Sequence, residues 1–132
     1  MEYNLQDIKE IFAKDFFATK TCGIRIDHID EFETVCVLDI TPEHLNAAGT
    51  VMGGAIFTLA DFTFAVASNV GKPLTVSLDS HISFLSATKG EKLIARSRCI
   101  KEGRTTCFYR ISIEDDLGSQ VADVTITGFI KG

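Results

Sequence analysis

A chain of 132 residues with 18 acidic and 13 basic side chains, a net charge of −5 and no run of Lys or Arg disfavours a general nucleic-acid-binding surface, which needs a basic patch. The length matches one domain, 1–132, with room for a real core. A hydrophobic content of 45% is high for so short a chain, so part of its surface is expected to lie under another subunit. The first residues, MEYNLQDIKEIFAKDFF, include acidic side chains and no apolar segment of leader type. The longest apolar stretch, about 55–67, is short for a bilayer and is broken by Asp61. The expectation is a cytoplasmic protein with no membrane partner.

Apolar residues at Leu5, Ile8, Ile11, Phe12 and Phe16 recur at helical spacing, which predicts an amphipathic helix over 4–17 with Asn4 as its N-cap. Partial alternation over 23–27 and 33–40 predicts two strands joined by a hairpin at HIDEF. Residues 41–54, TPEHLNAAGTVMGG, read as a loop that leads into a central helix ending near Asn69, before Pro73. Four further strands follow at about 74–85, 92–101, 105–114 and 119–130, separated by turn formers. One long apolar helix among about six strands predicts an α+β fold in which a curved antiparallel sheet wraps that helix, with a short helix at the N-terminus. Such a wrap explains a helix that is apolar nearly all round.

The four cysteines, Cys22, Cys36, Cys99 and Cys107, form no C-x-x-C pair and have no His at metal-ligand spacing, so they read as free thiols and no metal or cofactor is expected. Cys99 and Cys107 are symmetric about Gly103 and can face each other across that hairpin. His44 in the exposed-looking TPEH turn and His81 on an alternating strand read as structural or solvent-facing.

The central helix carries one charge, Asp61, which lies too far along for a capping role. A carboxylate buried there has to be paired, by Thr58 or Thr63 for example, or used, because burying a lone charge costs several kcal/mol. Its predicted burial makes it the first catalytic candidate. Gly53 and Gly54 open the same helix, where backbone N–H groups lack acceptors and a ligand oxygen can come close. Eight residues separate Gly53 from Asp61, about 12 Å at ~1.5 Å per residue. That is too far for both to act on one carbon. If both act together they come from two chains whose helices run antiparallel across a two-fold axis, which puts the site at a homodimer interface.

The string HLNAAGTVMGGAIFTLAD, followed by TVSLDSHISFLSATKGEKLIARSRCIKEGRTTCFYRISIEDDLGSQVADVTITGFIKG, resembles the hotdog-fold acyl-CoA thioesterases of the PaaI-like branch, related to 4-hydroxybenzoyl-CoA thioesterases. The resemblance implies hydrolysis of an acyl-CoA, with aryl, arylacetyl or medium-chain acyl groups open, to a carboxylic acid and CoA. It implies that Asp61 activates or orients water, that the Gly53 N–H polarises the thioester carbonyl, that Asn46 assists at the same site and that Ser77 helps hold water. It places Met52 and Gly54 beside the substrate, and it implies paired subunits that often assemble further into a homotetramer. Met52 departs from the pattern, since the family usually has His before the glycine pair, and a thioether cannot replace a ring N–H. That departure is the best support for the alternative, a non-catalytic acyl-CoA-binding or regulatory hotdog protein. Asp61 as a direct nucleophile is the second chemical route. Phe57, Phe62, Phe64 and Phe84 are candidates for the wall of an acyl pocket or for the core.

Overall fold

Antiparallel strands separated by tight turns lie around one helix in the computed structural model, which describes residues 3–132. Helix α1 spans Leu5–Phe12, β1 Ile24–Ile29, β2 Thr34–Asp39, α2 Gly53–Asn69, β3 Thr75–Phe84, β4 Lys92–Glu102, β5 Thr106–Asp115 and β6 Gln120–Ile130. The sheet order is β1-β2-β4-β5-β6-β3, so β1 and β3 are its edges.

Helix α2 lies across one face of this sheet, against every strand. Leu59, Ala60, Thr63 and Val66 on the helix are fully buried, as are Leu38, Leu93, Ile111 and Ile113 in the core they join. Each large apolar side chain so buried contributes about 1.5–3 kcal/mol. The buried hydroxyls of Thr63 and Ser68 donate to the carbonyls of Leu59 and Phe64, both at 2.7 Å, which is how polar residues enter an apolar helix without orphaned groups.

The N-terminal segment departs from its predicted form. Asn4 does cap α1, its Oδ1 accepting the Asp7 N–H at 3.1 Å. The helix ends at Phe12, however, instead of running to residue 17. The N–H groups of Lys14 and Asp15 donate to carbonyls three residues back. The Thr19 hydroxyl takes the carbonyls of Ala13 and Asp15 at 3.2 and 3.0 Å, and the chain restarts as a π-helical turn, Phe17–Thr21. Phe16 and Phe17 consequently face solvent, at 67% and 63% exposure.

Strand β1 continues to Ile29, past its expected end, because Asp30 closes the hairpin. Its Oδ1 accepts the N–H groups of Phe32 and Glu33 at 2.7 and 2.9 Å, and His28 Nε2 lies 2.7 Å from Oδ2. The His28 bond first, then those two amides, holds the Asp30 carboxyl down at about 2. Cys99 and Cys107 do not face each other: a bulge between Cys99 and Lys101 pairs Cys99 with Tyr109 and Cys107 with Glu102. All four cysteines are free thiols, and burial pushes Cys36 up to about 12. Among the described residues no helix is long and apolar enough to cross a membrane.

Candidate active site

The loop before α2 is built around two side chains. His44, which the sequence places in an exposed turn, is buried. Its Nδ1 accepts the Thr41 N–H at 2.9 Å, so its Nε2 is the nitrogen that carries hydrogen and donates to the Cys22 carbonyl at 2.7 Å. Both ring nitrogens are engaged, and His44 is a structural strut. Asn46 Oδ1 accepts the N–H groups of Ala48 and Thr50 at 3.0 and 3.1 Å, while Nδ2 donates to Thr50 Oγ1 at 3.0 Å. One N–H of the Asn46 amide thus fixes the loop, and the other is left over.

Met52 is the N-cap of α2 and supplies no side-chain hydrogen bond; it is exposed. The Gly53 and Gly54 amides at the first two helical positions have no intrahelical acceptor, so they are free for a ligand. A cleft of about 420 Å³ opens beside Gly53, between Thr50 and Val51 on one side and Phe84 to Thr88 on the other. The Phe84 ring rests on the helix start: a Cβ placed on Gly53 would come within 3.1 Å of Phe84 Cζ.

The far wall of this cleft is clamped by Asp115, which the sequence shows only as part of a turn. Its Oδ2 accepts Thr88 Oγ1–H and Lys89 N–H at 2.9 and 3.2 Å, and its Oδ1 accepts the N–H groups of Leu117 and Ser119 at 3.0 and 2.8 Å. Burial alone pushes this carboxyl up, but the four hydrogen bonds together outweigh burial and set it at about 2.

Asp61 lies elsewhere on the helix and is not buried in the chain, contrary to expectation. The reason is positional: the sheet covers the stripe of Leu59, Phe62 and Thr63, and Asp61 points away from that stripe. Neither threonine expected as its partner bonds it, since Thr58 donates to the Gly54 carbonyl and Thr63 to Leu59. Asp61 opens into a second cleft of about 320 Å³, whose lining includes Asp15, Phe16 and Phe17. The surrounding atoms strip part of its hydration, and this first, then the negative charge of Asp15, raises its pKa above the ordinary carboxylate value.

Ser77 pairs with Gly128 of β6, directly opposite, so both point to the same face of the sheet. A Cβ on Gly128 would come within 2.9 Å of the Phe64 ring of α2, so that face is the helix side. A bulge between Ser77 and Asp79 turns Leu78 out of the ladder. Asn69, read from sequence only as the end of the helix, joins this strand to α2. Its Oδ1 accepts the Thr75 N–H at 2.8 Å and its Nδ2 donates to the carbonyls of Ala65 and Thr75 at 2.9 and 3.1 Å. Phe57 is half-buried against the core and lines neither cleft, Phe64 is buried against Tyr109, and Phe62 is buried at the floor of the Asp61 cleft.

One helix therefore carries both candidate groups, with Gly53 in one cleft and Asp61 in the other. A six-stranded antiparallel sheet wrapped around one central helix is the hotdog fold of thioesterase structures. The chain belongs to the thioesterase superfamily, whose family model matches residues 48–122, from the loop before α2 into β6. It is 33% identical over 118 residues to the acyl-coenzyme A thioesterase PaaI of Escherichia coli strain K12, covering 89% of this chain and 84% of that protein. The solved structure of the PaaI protein from the phenylacetic acid degradation operon of E. coli superposes with a TM-score of 0.83 at 27% identity, covering 98% and 97% of the two chains. A thioesterase protein of Streptococcus pneumoniae TIGR4, solved with coenzyme A, also gives a TM-score of 0.83 at 27% identity, over 92% of this chain and 97% of that one.

Proposed function

We propose that the protein hydrolyses acyl-CoA thioesters at two equivalent sites of a homodimer, each built from the Gly53 end of one helix and Asp61 of the partner subunit. The observation that carries this reading is the separation of the two groups along α2, about 12 Å at ~1.5 Å per residue, in two different clefts. The edge strand β3 supplies a surface for pairing: Leu74, Val76 and Leu78 are exposed there, and its outer backbone edge is unpaired in the sheet. The coenzyme A bound to the S. pneumoniae protein and the activity named for the E. coli relative support the substrate class.

The thioester carbonyl oxygen accepts from the Gly53 N–H, with the spare N–H of the Asn46 amide beside it, so that charge developing on that oxygen meets fixed donors. Asp61 of the partner subunit takes a proton from water as the water oxygen bonds to the carbonyl carbon. Ser77, facing the helix side of its edge strand, offers that water a hydroxyl. Collapse of the tetrahedral intermediate breaks the carbon–sulfur bond, and the CoA sulfur leaves as thiol with the proton returned from Asp61. A raised pKa makes Asp61 a stronger base than an ordinary carboxylate.

The test is complementation. Asp61→Asn removes the base, and Gly53→Pro removes one N–H at the first helical position, where the backbone suits proline and the Phe84 ring has to shift by a few tenths of an ångström to admit it. Each variant alone is expected to release little CoA. Mixed dimers of the two contain one site with both groups intact, so refolding them together should restore about a quarter of wild-type turnover, from a statistical half of mixed dimers with one working site each. No recovery in dimers shown to be mixed would place both groups in one chain's site and overturn the reading. Acyl-CoA binding with no CoA release by wild type would leave a binding module instead.

A further inference from the structure

The proposed chemistry leaves unassigned the π-helical turn that follows α1. It sets two consecutive phenylalanines, Phe16 and Phe17, at the rim of the cleft that contains Asp61, and both are largely exposed. The π-helical turn begins at Phe17, and both phenylalanines are among the residues that line the cleft. Here the segment is fixed by backbone bonds, with Asp15 N–H on the Phe12 carbonyl at 2.9 Å and the Thr19 N–H and hydroxyl on the Asp15 carbonyl at 2.9 and 3.0 Å. The floor, Phe62 and Ala65, is apolar, and the volume of about 320 Å³ lies within the range of small-ligand sites.

Asp15 and Asp61 are the only ionisable side chains among the residues lining this cleft. Helix α2 has no charge other than Asp61, and the nearby cations Lys14 and Lys20 are not among the residues that line the cleft. The occupant follows from position. A water activated by Asp61 has to attack a carbon within about 3–3.5 Å, so the acyl group bonded to that carbon lies in or beside this cleft.

We propose that the Asp61 cleft receives the acyl part of the thioester and that Phe16, Phe17 and Asp15 set its specificity, admitting neutral apolar acyl groups and rejecting those that end in a carboxylate. This rests on the thioesterase reading above. Two aromatic rings bury against an apolar chain and lose nothing to it, whereas a carboxylate brought beside Asp15 and Asp61 meets like charge with no cation in this chain's lining of the cleft. The rejection is built from repulsion as well as from fit, and it acts at the far end of the acyl group.

The experiment compares kcat/KM for hexanoyl-CoA, glutaryl-CoA and acetyl-CoA in wild type, in the double variant Phe16→Ala/Phe17→Ala and in Asp15→Lys. Wild type is expected to prefer hexanoyl- over glutaryl-CoA by about 10-fold or more. The double variant should lower the hexanoyl-to-acetyl ratio about 10-fold, the size of effect a pocket obtains from a few methylenes. Asp15→Lys should raise the glutaryl-to-hexanoyl ratio about 10-fold. The effects of the two variants on these ratios are also read as Kd in an Asp61→Asn background, which reports the cleft without turnover and with the Asp61 share of the repulsion removed. Absence of CoA release with the expected Kd ratios would defeat the thioesterase reading and keep the cleft assignment. Turnover with ratios unchanged in both variants would overturn the assignment and keep the thioesterase. A change in thermal unfolding without a change in ratio counts against it too, because Phe16, Phe17 and Asp15 are surface residues whose loss should not unfold the chain.

Discussion

The two ends of the first half of α2, at Gly53 and at Asp61, are made in opposite ways. At Gly53 the candidate groups are backbone amides, and the side chains around them hold a loop in place: His44 and Asn46 on one side, Asp115 on the other. At Asp61 the candidate group is a side chain open to solvent, and its surroundings include rings and a second carboxylate. The first region offers donors and no base, and the second a base and no donors. Each is chemically incomplete by itself, and on the proposed reading the functional unit is larger than one chain.

The most severe way to break the pair is at the base. Asp61→Asn is expected to lower kcat about 10³-fold in a CoA-release assay, the usual worth of a positioned general base, with the dimer intact by gel filtration. The wild-type acidic limb of kcat/KM should lie above the ordinary carboxylate range, because partial desolvation and then Asp15 raise the Asp61 pKa. A raised folded-state pKa means that ionised Asp61 costs stability as pH rises through it, so Asp61→Asn should unfold at a higher temperature than wild type at pH 7. Full turnover by the Asp61→Asn protein would by itself contradict the base assignment.

Breaking the other half has a smaller effect. Gly53→Pro deletes one donor from the helix start and is expected to reduce kcat about 10²-fold, the scale seen for one oxyanion donor, while circular dichroism stays unchanged. Unaltered turnover would shift the donor role to Gly54 or to the Asn46 amide.

The remaining two substitutions act through structure. Asn69→Ala removes the two bonds that attach β3 to α2 and a third to the Ala65 carbonyl within α2, and should cost about 1–3 kcal/mol in denaturant unfolding. It should also lower kcat several-fold more than it raises KM, because it releases the strand that carries Ser77. Asp115→Asn leaves donors facing an amide N–H₂ and should loosen the wall of the Gly53 cleft, lowering Tm by about 5 °C at pH 7. Its folded pKa of about 2 lies below the ordinary 3.8, so its contribution is present above pH 3.8 and is lost as pH falls through 2. The Tm difference between wild type and Asp115→Asn should therefore close in that window, and a difference that persists at pH 2 would assign it to packing.

Much of this was legible in the chain itself. Alternation and turn formers placed all six strands to within a few residues, because a sheet with one covered face needs that period. The glycine pair and the lone charge of α2 marked the candidate site, and their spacing alone set them two turns of helix apart. Local patterns carry such information because helix and strand periods are properties of neighbouring residues. What the tertiary structure decided rests on contacts between residues far apart in sequence. His44 is a strut because Cys22, 22 positions earlier, offers its carbonyl. Asp115 is a clamp because the chain returns Thr88 to it from 27 positions away. Asp61 is open, and Phe16 and Phe17 stand at its cleft, because the sheet leaves that side of α2 uncovered and Thr19 breaks the first helix before it reaches them. Residue type determined which groups were able to react, and only the packing of distant segments determined which of them met solvent, which met one another and which were left open.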